Sequence, residues 1–124
     1  MSIPYLCVLI AAVLPYLLVA YSKFFTKGYN NNSPREFLEK LEGRAKRANY
    51  AHLNSFEAFP AFAAAVIIAN LRGVSHQTIS LLAVSFILFR ILYAICYIFN
   101  QASLRSLMWF LGISCVISLF VFSL

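Results

Sequence analysis

Four apolar runs, each about as long as a helix needs to cross a bilayer, occupy most of this chain and leave little choice of architecture. They fall at about residues 3–25, 47–71, 76–99 and 104–124, with one long polar loop at about 26–46 and two short turns between them. Of 124 residues, 62% are hydrophobic and 11% charged. A water-soluble domain of this size cannot hide so much apolar surface. Barrel strands are excluded as well, because they alternate in polarity over about 9–11 residues and these runs are continuous. The expected fold is all-α: a single-domain, integral-membrane four-helix bundle with the lipid bilayer as its solvent.

The net charge of +6 raises the question of a polyanionic partner, and the distribution of the charge answers it. Seven of the ten basic residues lie between Lys23 and Arg47, in the first loop and the start of the second helix. Basic loops flanking spans follow the positive-inside rule, so no nucleic-acid partner is expected. The first and third connections then face the cytoplasm, and both termini face the opposite side. The N-terminus has no basic n-region and no convincing small-residue cleavage site, so the first run reads as a retained span. Short connections and the lack of a targeting signal suit a bacterial inner membrane. Cys7, Cys96 and Cys115 all sit inside apolar runs, without metal spacing, and read as packed thiols.

Local signals refine the helices. Pro15 and Pro60 each remove one backbone hydrogen bond and are expected to bend their spans. Tyr5, Tyr16 and Tyr21 suit interfacial anchoring. Asn30–Asn32 is a turn-like breaker, and Ser33-Pro34-Arg35-Glu36 reads as a capping box with proline at the first helical position. A short helix from Pro34 is expected to run through Leu41 into the second span, with Gly43 as a weak point. Ser75 is placed to cap the third span. Ala61, Ala63, Ala64 and Ala65 are small enough for close helix packing.

Glu57 is the only acidic residue outside the polar loop. A carboxylate within a span costs on the order of 2.5–3.5 kcal/mol by insertion scales, so it needs a partner, a polar cavity or a ligand. Arg47, Tyr50, Asn54 and Glu57 recur at i, i+3, i+7, i+10 and share one helical stripe. On the third span Arg90, Tyr93 and Tyr97 share another, and Arg105 opens the fourth. All these groups fall in the cytoplasmic halves of their spans, so three helices bring polar side chains to one depth. His52 and Asn49 lie toward a different face of the second helix. Arginines, an asparagine, a carboxylate and tyrosines together suit a small zwitterionic anion. An arginine beside a bound thiol would favour the thiolate. Each residue also has a structural reading. Asn54 and Glu57 can form a network between helices, and Arg90 can pair with Glu57. Tyr93 and Tyr97 can pack, His52 can be an interfacial histidine, and Arg47 and Arg105 can be flanking cations.

The order Asn54-x-x-Glu57-x-x-Pro60, Arg90-x-x-Tyr93-x-x-x-Tyr97 and Arg105-Ser106, in a four-span chain of this length, resembles the MAPEG family, in a bacterial-type form. These are membrane-associated proteins of eicosanoid and glutathione metabolism. The resemblance implies a homotrimer of four-helix subunits with glutathione bound between neighbours near the cytoplasmic side. It implies that Asn54 and Glu57 hold the glutamyl end, that Arg90, Tyr93 and Tyr97 line the pocket, and that Arg105 activates the thiol. His52 matches a position that also contacts glutathione in some members. One departure is visible: the family carries arginine four residues before the asparagine, and this chain has Tyr50. Arg47, one turn earlier, is the expected replacement.

The activity so implied is glutathione-dependent transfer to, or peroxide reduction of, a small lipophilic electrophile. Two other classes fit the span count. One is a small four-helix transporter with an intramembrane glutamate, although such proteins carry that residue in the first span. The other is a noncatalytic membrane protein of the same fold, whose polar stripe only registers subunits.

Overall fold

The connections dictate an up-down-up-down path. The computed structural model describes residues 2–124, and the helices run α1 (Ile3–Phe24), α2 (Pro34–Glu39), α3 (Gly43–Leu71), α4 (His76–Ile98) and α5 (Ala102–Ser123). Four of these, α1, α3, α4 and α5, are long and apolar enough to cross a membrane. At about 1.5 Å per residue, the 29 residues of α3 extend about 43 Å, well beyond a hydrocarbon core of about 30 Å. Its N-terminal turns therefore project past the other spans, at the end of the bundle where the basic residues collect.

α1 and α5 pack on opposite sides of a central α3–α4 pair. α1 presents Cys7, Ala11, Pro15, Leu18 and Ser22 as one buried stripe of three- and four-residue steps. Both α1 and α3 remain helical through their internal prolines, Pro15 and Pro60. The larger apolar cluster occupies the half of the bundle away from the basic end, where the Phe62 ring stacks on Phe86 at 3.9 Å and 9°. Cys7 and Cys115 pack into it. Ala65, Ala69 and Ala83 are fully buried and allow the close approach of their helices, whereas Ala61 and Ala64 are exposed. A smaller cluster at the basic end joins Leu18, Ala51, Tyr93 and Ala94. The polar site lies between the two clusters.

The turns that bring the site's helices together have clear local causes. Ser75 Oγ accepts a hydrogen bond from the Thr78 amide at 3.2 Å and caps α4, as expected from the sequence. Asn100 adopts φ +59°, a left-handed conformation that asparagine tolerates, and reverses the chain within a few residues so that α5 descends beside α4. Ser22 Oγ donates to the Ala45 carbonyl at 2.8 Å and ties the end of α1 to the start of α3.

The polar loop departs from expectation. The Pro34 helix does not run into the second span; it stops at Glu39. Leu38 and Leu41 turn inward as buried anchors, and Gly43 takes φ +61°, which no continuing α-helix accommodates. Ser33 makes no side-chain capping bond, and Pro34 alone marks the start of α2.

Because Phe62 is wholly buried and stacked, Phe62→Ala is expected to cost about 3 kcal/mol, seen as a lower melting temperature in detergent. Phe110→Ala, which removes a ring that is 61% exposed, is expected to leave the melt nearly unchanged. Equal shifts in the two variants would contradict this account of the core.

Candidate functional site

The site starts from a cation. Arg90 projects from α4 into the bundle and is only 3% exposed. A guanidinium has five donors and no acceptor, so it is stable there only where oxygen atoms face it. The next helix provides them. Arg90 Nη2 donates to Asn54 Oδ1 at 2.7 Å and lies 3.5 Å from Ser55 Oγ. Ser55 in turn donates to the Ala51 carbonyl at 2.9 Å, which orients its oxygen. The Arg90 guanidinium carbon also sits 4.3 Å from the centre of the Tyr93 ring. Among the described residues, every buried side-chain nitrogen and oxygen has a hydrogen-bond partner.

This bond decides the chemistry of Asn54. Its carbonyl oxygen must face the guanidinium, because arginine cannot accept, so its amide nitrogen is the group that remains for a ligand. Asn54 lines three adjoining cavities of about 200, 290 and 260 Å³. The first extends between α3, α4 and α5 past Ala58, Ala61, Phe86 and Trp109 toward the middle of the membrane. The second is bounded by Tyr50, Glu57, Tyr93 and Tyr97. The third contains Arg105, Ser106 and Trp109.

Glu57 borders the first two cavities. The sequence allowed an Arg90–Glu57 pair, but Arg90 takes Asn54 and Ser55 instead, and the ion pair among the described residues is Lys40–Glu36, on the surface of α2. Glu57 therefore presents an exposed carboxylate beside the cavities. The Arg105 guanidinium carbon lies 4.5 Å from the centre of the Tyr97 ring, and Tyr97 meets Tyr93 edge to face at 5.7 Å. Asn54, Glu57, Arg90, Tyr93, Tyr97 and Arg105 thus border the three cavities that Asn54 shares.

Two further residues singled out in the sequence stand elsewhere. Arg47 Nε donates to the Ile98 carbonyl at 3.0 Å, at the C-terminal end of α4. Carbonyls of a last helical turn lack intrahelical donors and carry the negative end of the helix dipole, which explains the attraction. His52 lies on another face of α3, 3.2 Å from Asn49 Oδ1 and edge-on to Phe56. It borders a separate groove of about 410 Å³ shared with Arg35 and Glu39 of α2. Ser55 and Trp109 belong to the site without having been singled out. Ser55 follows Asn54 directly, and Trp109 lies one turn beyond Arg105, so their positions were the available signals.

The sequence model of the MAPEG family matches residues 3–124, essentially the whole chain. The chain belongs to the MAPEG family. No curated protein and no solved structure matches it. Membership makes this a multi-pass membrane protein of the family concerned with glutathione and eicosanoid metabolism.

The Arg90–Asn54 contact yields an ordering of stabilities. Asn54→Leu leaves a buried guanidinium without its closest acceptor and is expected to cost about 3–5 kcal/mol. Arg90→Met leaves only an amide oxygen and is expected to cost about 1–3 kcal/mol. The double variant should be more stable than Asn54→Leu alone. Thermal melts in detergent that show simple additivity would refute the contact as the organising one.

Proposed function

We propose that this protein binds glutathione at the Asn54–Glu57 stripe and uses it against a small lipophilic electrophile, by conjugation or peroxide reduction. The observation that carries the reading is the donor set around the cavities. Glu57, a carboxylate without an ion-pair partner among the described residues, can accept from the glutamyl ammonium. The Asn54 amide nitrogen, free because its oxygen faces Arg90, can donate to the neighbouring carboxylate. Tyr50, Tyr93 and Tyr97 border the same space. One acceptor with several donors fits a zwitterion and would suit a purely apolar ligand poorly.

Glutathione supplies the thiol that, as thiolate, attacks the electrophile. Arg105 is the residue proposed to hold the negative sulfur, because it sits at the third cavity with no acidic partner among the described residues. The first cavity, walled by alanines, Phe86 and Trp109, is the place for the apolar substrate, which would enter laterally from lipid. Arg90 keeps Asn54 oriented and acts as a positioning residue.

The assembly proposed is a homotrimer with the basic end and its site toward the cytoplasm, in a bacterial inner membrane, and both termini on the other side. Trimerisation matters for His52. Since it faces away from Asn54 within its own subunit, it could contact glutathione only in a neighbour's site. Arg47, engaged with Ile98, would act by fixing the ends of α3 and α4 around the site rather than by touching the ligand.

Calorimetry with purified, detergent-solubilised protein is expected to give glutathione binding that Glu57→Gln weakens about tenfold, the worth of one charge-assisted hydrogen bond. Absence of binding at millimolar glutathione would reject the reading in favour of a noncatalytic protein of this fold. Arg105→Ala is expected to retain glutathione but lose turnover by about 10²–10³, the range for removing one electrostatic stabiliser. Its rate should recover as pH rises toward the ordinary thiol pKa of about 8.5. Undiminished turnover would remove Arg105 from the mechanism.

A further inference from the structure

The start of α3 carries three cations close together, Arg44, Lys46 and Arg47, and the structure gives them different neighbours. The Arg44 guanidinium carbon lies 4.8 Å from the centre of the Phe99 ring, and Arg47 is bonded to the Ile98 carbonyl. Both turn toward the end of α4. Lys46 turns the other way: its Nζ lies over the Tyr50 ring, 5.9 Å from the centre. Tyr50 forms part of the cavity that Glu57 borders, and its ring stands 6.2 Å from that of Tyr97. Lys46 has no carboxylate partner among the described residues.

These contacts place an ammonium beside Tyr50, the residue at the end of that cavity away from Glu57. Lys46, Tyr50, Asn54 and Glu57 are spaced four, four and three residues apart, so they form one stripe on α3. Tyr50 and Glu57 are separated by about 10 Å along the helix axis. An α-linked tripeptide extends about 3.3–3.6 Å per residue, and the γ-linkage of glutathione adds two methylene groups to that reach, so its far end attains the level of Tyr50 and beyond it that of Lys46. With the ammonium of a peptide thiol at Glu57 and the adjacent carboxylate at the Asn54 amide, the far carboxylate falls beside Tyr50. Tyrosine offers it only a neutral hydroxyl, and the cation at that level is Lys46.

We propose that Lys46 is the binding residue for the distal carboxylate and selects peptide thiols that carry one. The inference rests on the glutathione reading above and adds a residue and a specificity to it. Lysine suits the place, since its flexible stem lies along the Tyr50 ring while its ammonium stays at the wet end of the helix.

The test pairs a protein change with a ligand change: glutathione and its glycyl-amidated analogue are titrated into the wild-type protein, Lys46→Met and Lys46→Arg at low ionic strength. Lys46→Met is expected to weaken glutathione about tenfold, and amidation to weaken binding to the wild type by a similar factor. Amidation should then cost nothing further in Lys46→Met, and Lys46→Arg should retain both affinity and discrimination. Equal weakening of both ligands by Lys46→Met would overturn the assignment while leaving glutathione binding intact. A wild-type protein that binds amide and acid alike would do so without any mutation. Failure of the wild type to bind glutathione would sink the underlying reading and this inference with it.

Discussion

Burial of the Arg90 guanidinium between two apolar clusters is the constraint on which the rest of the architecture depends. A cation at that level of a membrane bundle cannot face lipid at acceptable cost, so α3 must deliver oxygens to it. Asn54 and Ser55 do so from adjacent positions, and Tyr93 offers a ring face from the same helix as Arg90. This fixes the rotation and height of α3 against α4. It also fixes which atom of Asn54 meets the cavities, so that a structural contact defines the chemistry of the site.

The basic end elaborates the same theme of cations against soft or partial negative charge. Lys46 rests over Tyr50, Arg105 over Tyr97 and Arg90 over Tyr93, with the tyrosines themselves in contact. Arg47 takes a helix-end carbonyl. At the opposite end, Arg72 Nε makes the equivalent bond to the Ser123 carbonyl at 3.1 Å. Tyrosine rings and helix C-termini hold these arginines and lysines in place without neutralising them. The acidic residues of the chain other than Glu57 sit in the polar loop, so the positive potential around the cavities persists and is available to an anionic ligand.

Much of the site's level was legible in the sequence. Asn54, Glu57, Arg90, Tyr93, Tyr97 and Arg105 were expected at one depth on three helices, and they do surround adjoining cavities. Their pairing was less legible. Charge allowed a pair of Arg90 with Glu57, whereas the neutral oxygens of Asn54 and Ser55 are its neighbours. Arg47 shared a stripe with Asn54 and yet reaches α4, while Lys46, one position earlier, reaches Tyr50. The polar loop misled for a related reason. Its helix-start signal at Ser33-Pro34 was sound as to place, but burial of Leu41 and the left-handed turn at Gly43 end the helix before the second span begins.

Two physical scales separate what each level of description determined. The sequence by itself determined the number of spans, their order and the depth of each polar group. Lipid forbids unsatisfied backbone, so long apolar runs must be helices, and a helix rises by a fixed amount per residue. Only the tertiary structure decided which way each long side chain turns and what it meets. Neighbouring positions such as 46 and 47 are about 100° apart on a helix, and flexible stems let either one reach a stripe that both border. The choice between them rests on a carbonyl at the end of α4 and a ring on α3, and periodicity within one helix carries no record of its neighbour's free oxygen atoms.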